Sequence, residues 1–430
     1  MAGDGTVDHR QYRGQQFGVY GKQAAPLWTG ERLRNVHPII PGLRDPNAAM
    51  PTMGDFICGG ERRVPRGPLP SMNPLEAWAR PPASGLRATW LGHSTVLIEI
   101  DGLRVLTDPV WGPRASPSRL LGPKRFQPVP VPLRAMPPID LVLVSHDHYD
   151  HLDYPTVREL AKRDVPFVTS LGVGAHLEAW GVRPERIAEL DWWESHRLPN
   201  TELTVTAAPS QHFSGRGLKD RNTTLWSSLV IRTQNHSVFF SGDTGLTTEY
   251  KTIRERLGPF DQVMLEVGAF HPAWGDIHLG PGNALKALAM LGGGAFLPVH
   301  WGTFSLAMHA WDQPAERLLE LGSKADVQLV MPRLGEPVEP AHPVNGRRCL
   351  YVTEGYTSRI VGMPEDESRD LIAELAAQCV KPAFTYLHNW HKHDLVMWDD
   401  CSTQHKATFD FPASLPRLMH RTTVVGAATA

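Results

Sequence analysis

Three histidines and two aspartates fall within six positions of one short run, Ser145-His146-Asp147-His148-Tyr149-Asp150-His151-Leu152-Asp153. Neutral imidazole mixed with carboxylate is the donor set that zinc and similar borderline cations take. His146 and His148, two residues apart in an extended loop, project the same way and can grip one cation. Asp150 and His151, one turn further on, can serve a neighbouring cation. A surface loop has no structural need for three histidines, so the run reads as a dinuclear metal site. Three later segments offer the donors that such a site still lacks: His212 in Gln211-His212-Phe213, Asp243 in Ser241-Gly242-Asp243-Thr244-Gly245, and His300 in Val299-His300-Trp301-Gly302. Each alone is weak, because a single strand-end histidine is more often a satisfied core or loop residue. As a set they put one donor at each of several strand ends, where α/β folds build their sites.

The elements that must position these residues are legible as short apolar runs. Leu141-Val142-Leu143-Val144 reads as a buried strand, which places the histidine cluster on the loop at its end. Residues 203–208, 238–240 and 297–299 are similar runs ahead of His212, Asp243 and His300. Further strands are expected at 95–100, 103–106 and 228–231. Helices are expected at 154–163, where Val157, Leu160 and Ala161 recur at helical spacing, and at 283–291 after Pro281-Gly282. Residues 1–85, rich in Gly, Pro and Arg without a long periodic segment, read as an extended arm ahead of a domain spanning 86–338.

With 430 residues the chain can hold two or three domains and a sizeable core. Lys plus Arg number 43 against 45 Asp plus Glu, which argues against a nucleic-acid partner, while 20 histidines fit metal use. Cys58, Cys349, Cys379 and Cys401 contain no Cys-x-x-Cys pair, so neither a disulfide framework nor a zinc knuckle is expected. No apolar signal segment opens the sequence, and no run approaches the ~20 apolar residues of a membrane span. The expected location is the cytoplasm, with access to the inner face of the membrane if the substrate is a lipid.

The pattern His-x-His-x-Asp-His, a strand-end His, Gly-Asp-Thr-Gly and a last His resembles the metallo-β-lactamase superfamily. Thr89-Trp90-Leu91-Gly92-His93-Ser94-Thr95, Leu106-Thr107-Asp108-Pro109, Gly122-Pro123-Lys124-Arg125, Asp191-Trp192-Trp193-Glu194 and His300-Trp301-Gly302-Thr303-Phe304 are similar to the branch that holds N-acyl-phosphatidylethanolamine-hydrolysing phospholipase D and its bacterial relatives. The resemblance runs from about residue 34 to about 337. It implies a four-layer αβ/βα sandwich and two zinc ions. His146, His148 and His212 would hold the first, and Asp150, His151 and His300 the second, with Asp243 bridging them. It implies a hydroxide between the two cations as nucleophile, catalytic roles for Asp243 and Asp150, and a substrate contact at His278. Asp108 and His93 would orient ligand imidazoles. The implied reaction is hydrolysis of a phospholipid phosphodiester, with lactones or other small esters and phosphodiesters as the alternative. Where relatives read Tyr-Glu-Pro-Arg-Trp, this chain has Phe270-His271-Pro272-Ala273-Trp274, which bears on substrate identity rather than on hydrolysis. Trp192, Trp193, Phe213, Trp226 and Trp274 suit a lipid-accepting cleft and equally a plain core.

Residues 339–430 are a different text. Trp398-Asp399-Asp400-Cys401-Ser402-Thr403-Gln404-His405 and Arg417-Leu418-Met419-His420-Arg421 resemble the end of taurine dioxygenase-like Fe(II)/2-oxoglutarate enzymes, a jelly-roll (double-stranded β-helix) family. The resemblance places the last iron-binding histidine at His405 and the cosubstrate arginine at Arg421. The His-x-Asp that completes an iron triad is missing from the segment, so a truncated piece without iron or 2-oxoglutarate chemistry is expected. Leu371, Ile372, Leu375 and Ala376 form a helical stripe that an inert or dimer-forming lid would use. An oxygenase reading through this segment and a non-catalytic metal scaffold remain as the other function classes.

Overall fold

A computed structural model describes residues 32–38, 52, 54, 62–118, 120–271, 274, 276–325, 327–340, 363–382, 385 and 387. The chain divides into two compact units with the boundary between Pro340 and Ala341.

The first unit holds two sheets. One carries β1 (Leu86–Gly92), β2 (Thr95–Ile100), β3 (Leu103–Thr107), β4 (Leu141–Val144), β5 (Phe167–Ser170), β6 (Ile187–Leu190) and, at its edge, β13 (Pro337–Val338), in the order β13-β1-β2-β3-β4-β5-β6. The other carries β7 (Ser195–Arg197), β8 (Thr204–Ala208), β9 (Ser228–Arg232), β10 (Ser237–Phe240), β11 (Gln262–Glu266) and β12 (Ala295–Val299), in the order β12-β11-β10-β9-β8-β7. Each is mixed: β3-β4-β5-β6 and β10-β11-β12 run parallel, the remaining pairs antiparallel.

The inner faces close on one another. Ile98, Val105, Leu141 and Leu143 of one sheet share a buried cluster with Val205, Leu229, Phe240 and Leu297 of the other. Outer faces are covered by helices, as both-sides-buried parallel strands require. α1 (Leu75–Trp78), α2 (Tyr154–Leu160) and α3 (Gly174–Ala179) lie with the first sheet, and α4 (Glu249–Leu257), α5 (Gly280–Leu291) and α6 (Gln313–Gly322) with the second. The result is the expected four-layer αβ/βα sandwich.

Local differences from the sequence reading have local causes. α2 stops at Leu160, three residues short of the expected end, with Arg163 N bonding Leu160 O in a turn. Its start is set by Asp153, whose carboxylate accepts from Thr156 N, and by Pro155 in the first turn. α5 begins three residues early because Pro281 needs no N–H partner in a first turn. In the second unit, α7 (Glu365–Cys379) turns Ser368, Ile372 and Ala376 inward at four-residue spacing. Its Leu371 and Leu375 are half-buried, so the stripe is present. His405, Arg417 and Arg421, with the rest of the expected jelly-roll segment, lie outside the described residues.

Candidate metal centre

All the donors lie at one end of the sandwich. His146, His148, Asp150 and His151 follow β4; His212 follows β8, Asp243 follows β10, and His300 follows β12 directly. His93 sits in the β1–β2 turn and Asp108 just past β3. Three of these positions hold strained backbone: φ is +52° at His93, +34° at Asp108 and +65° at His300. Non-glycine residues persist there only where the surroundings over-determine them. Here His300 N donates to His93 O at 3.0 Å, and His93 N to Thr303 Oγ1 at 2.7 Å. Gly245 is obligatory for a different reason, since a Cβ there would sit 1.5 Å from Asp276 O.

Two donor groups result. In the first, His146 Nε2 is 3.0 Å and His212 Nε2 3.3 Å from His148 Nδ1, while Asp243 Oδ2 lies 3.8 and 3.6 Å from His146 and His212. The outer nitrogens are held elsewhere: His212 Nδ1 donates to Ile277 O at 2.8 Å, and His146 Nδ1 is 3.0 Å from Ser145 Oγ. Burial above all keeps the imidazoles of His146, His148 and His212 below their ordinary range, hence neutral. Three uncharged nitrogens therefore converge within hydrogen-bond distance, an arrangement that makes sense around a shared cation.

The second group is richer in carboxylate. His300 Nε2 lies 3.3 Å from Asp150 Oδ2 and 3.2 Å from Asp243 Oδ2; His151 Nε2 lies 3.5 Å from Asp150 Oδ2 and 3.1 Å from Asp243 Oδ1. His151 Nε2, His300 Nε2 and Asp243 Oδ1 are buried yet make no hydrogen bond, because these contacts have the distance without the angle. Burial works to lower His300, but Asp243, followed by Asp150, pushes it up to about 10. His151 rises well above its ordinary value in the same way, with burial opposed by Asp243, Asp150 and Asp108. The pocket attracts positive charge and aims orphaned nitrogens and an oxygen at it. The residues present fit divalent cations on both counts.

Behind the donors stands a layer of fixed partners. Asp108 accepts from His151 Nδ1 at 2.6 Å and from Ser145 N and Oγ at 2.7 Å each, so it reaches His146 through Ser145. His93 meets a carboxylate rather than an imidazole: its Nε2 is 2.9 Å from Asp150 Oδ2, and its ring lies 4.0 Å from that of His300. Burial first, then His300, lowers His93 to about 3.

Residues 103–301 match the family model described as the beta-lactamase superfamily domain. A Mycobacterium tuberculosis protein is 49% identical over 284 residues, covering 65% of this chain and 75% of that one. The N-acyl-phosphatidylethanolamine-hydrolyzing phospholipase D 1 of Caenorhabditis elegans is 37% identical over 249 residues, covering 55% of this chain and 70% of its own. The chain belongs to the metallo-β-lactamase superfamily. It is a metal-dependent hydrolase of that superfamily. The mitochondrial N-acyl-phosphatidylethanolamine-hydrolyzing phospholipase D of Saccharomyces cerevisiae is 34% identical over 238 residues, 54% of this chain and 50% of that one. Residues 319–423 match the taurine catabolism dioxygenase TauD, TfdA family; the match opens inside α6, ahead of the boundary between the two units.

Within this metallo-β-lactamase centre, two residues were not legible beforehand. Glu266, at the end of β11 and fully buried, accepts from Thr244 N at 3.1 Å, from Leu279 N at 3.0 Å and from His278 Nδ1 at 3.0 Å, and lies 3.8 Å from His300 Nδ1. A lone carboxylate inside Val263-Met264-Leu265-Glu266-Val267 was its signal, since a buried charge must be paired. Asn35 brackets His212, donating to its carbonyl at 2.9 Å and accepting from its N–H at 3.0 Å. Of the aromatic residues considered for a cleft, Trp192 and Trp226 are core, packed with Leu33 and Leu225. Phe213 lies against the rings of His148 and His212, 4.7 Å from each. Among the described residues no helix is long and apolar enough to cross a membrane.

Proposed function

We propose that the chain is a dinuclear zinc hydrolase that cleaves the phosphodiester of N-acyl-phosphatidylethanolamine-like lipids in the phospholipase D sense. The observation that carries the reading is the placing of Asp243 within 3.8 Å of His146 and His212 on one side and of His151 and His300 on the other, in a chain whose relatives include two enzymes named for that reaction. His146, His148 and His212 would hold one zinc and Asp150, His151 and His300 the other, with Asp243 between. Zinc bound there supplies an activated water and neutralises charge on the phosphoryl oxygens. Asp108 and the Ile277 carbonyl take the Nδ1 protons of His151 and His212 and so keep each Nε2 turned inward. Asp150 is held by His93. Glu266 accepts from His278 Nδ1, which leaves His278 Nε2 as the atom to meet a substrate oxygen; the His278 ring lies 5.0 Å from that of His212 and 5.3 Å from that of His300.

Metal analysis of the purified full chain, together with a substrate panel, tests this. Two zinc per chain and release of N-acylethanolamine are expected. Two metals with turnover only of lactones or small esters would keep the hydrolase and discard the lipid. Iron whose binding depends on His405 would favour the oxygenase reading instead.

A further inference from the structure

Two loops beside the metal centre carry side chains that hydrolysis does not use. The first, described over residues 111–118 and 120–126, is tied down where Gly112 N donates to Asp153 Oδ2 at 3.0 Å, and its Ala115 packs with Tyr149 and Phe304. The second, residues 214–222, is tied down where Gly215 N donates to Asp147 Oδ1 at 2.8 Å. Its Arg216 guanidinium donates to the carbonyls of Asp147 and Leu152 at 2.7 and 2.9 Å and lies 3.9 Å over the Tyr149 ring. Both loops are rooted on residues 147–153, the stretch that carries His148, Asp150 and His151. They therefore flank the same end of the sandwich.

Their tips are apolar. Leu120 and Leu121 on the first loop are 82% and 73% exposed, and Leu218 on the second is 103% exposed; the next large apolar side chain described in this unit, Leu319, reaches 52%. Exposed apolar residues scattered singly need no explanation, but the three extremes of one unit, carried by two loops anchored on the same donor-bearing stretch, mark an interaction surface. The same loops present Lys124, Lys219 and Arg221 to solvent. The second loop's only carboxylate, Asp220, is turned back onto the backbone, accepting from Arg216 N at 3.0 Å and Gly217 N at 2.7 Å; the first loop has none. By sequence the two loops carry seven Lys and Arg against one Asp, on a chain of net charge −2. An anionic bilayer offers both complements, acyl chains for the leucines and phosphates for the cations.

We infer that these two loops dock the enzyme on an anionic lipid surface, with Leu120, Leu121 and Leu218 entering the acyl boundary and Lys124 and Lys219 meeting headgroup phosphates. The docking deepens the lipid reading above and rests on it for its purpose, though the binding itself is measured without turnover. Co-sedimentation of the zinc-loaded full chain with vesicles tests it, using phosphatidylcholine alone and phosphatidylcholine doped with phosphatidylglycerol. Preference for the anionic vesicles is expected, declining with salt. The combined Leu120→Asp, Leu121→Asp, Leu218→Asp variant should bind them at least about tenfold more weakly, and Lys124→Gln with Lys219→Gln should weaken binding several-fold. Hydrolysis of water-soluble bis(p-nitrophenyl) phosphate should stay unchanged in both, since none of these residues touches the donors. Vesicle binding by the leucine variant equal to that of the parent would overturn the inference. So would equal affinity for neutral and anionic vesicles, or a leucine variant altered only in oligomeric state, which would assign the face to a second copy. Docking that survives while N-acyl-phosphatidylethanolamine stays intact would uphold this surface and remove the proposed reaction.

Discussion

The two donor groups at the centre solve the same problem with opposite electrostatics. The first offers three imidazoles that burial holds neutral, so a cation there is bound chiefly by aligned lone pairs. The second surrounds His151 and His300 with Asp150 and Asp243, and those carboxylates draw positive charge in with or without the right geometry. The supports differ accordingly. A backbone carbonyl and an asparagine from far upstream steady His212, whereas the buried carboxylates Asp108 and Glu266 stand behind His151 and His300. Charge draws a cation into the second group, whereas the first depends on the alignment of neutral lone pairs.

The substitution that breaks both groups at once is Asp243→Asn. It should abolish turnover and bring bound zinc below two per chain by mass spectrometry while circular dichroism stays native; near-normal activity would sink the shared-carboxylate arrangement. Stripping zinc with a chelator comes next. Because the ions bind the folded state, their removal should lower the melting temperature, by the equivalent of about 4 kcal/mol per ion when free zinc had stood a thousandfold above its Kd. An unchanged melting curve would mean that neither group holds an ion.

The next two substitutions weigh on the groups unequally, since Asp108 touches His151 directly and His146 only through Ser145. Asp108→Asn removes the partner of His151 and should weaken zinc binding or activity by roughly 10–100-fold, read by competition against a fluorescent chelator. If that loss fell on the first group alone, the assignment of Asp108 to the second would be wrong. Asn35→Ala should act on the first group only, through His212, at the low end of that range. An effect as large as that of Asp108→Asn would erase the contrast drawn here. The zero of the series is His405→Ala, whose hydrolytic rate should match the parent; a large loss would tie the second unit to the active centre.

Much of this was legible in the sequence where the information is local. Leu141–Val144 had to be a buried strand, and the cluster after it had to sit on a loop, because an apolar run of that length and a dense set of donors allow little else. The helical spacing of Val157, Leu160 and Ala161 placed a helix just after the cluster, and the apolar run 238–240 placed Asp243 at a strand end. Apolar periodicity could not say how far α2 runs or where α5 begins, since helix ends are set by single caps and turns rather than by the repeating face. Nor could it separate Trp192 and Trp226, which entered the core, from Phe213, which lies against the donors.

What the sequence by itself determined is a loop able to bind metal, the strand-end donors that could complete it, and the superfamily to which that set belongs. Donor type and short spacing are properties of the covalent chain and survive any packing. Only the tertiary structure decided that His93 grips Asp150 rather than an imidazole, that Glu266 aims His278, and that Asn35 clamps His212 across 177 positions. It also decided that the two loops carrying Leu120, Leu121 and Leu218 are both anchored on residues 147–153, the stretch that bears the donors. Those pairings arise where two sheets close face to face, and the register of that closure is set by the whole core rather than by any segment within it.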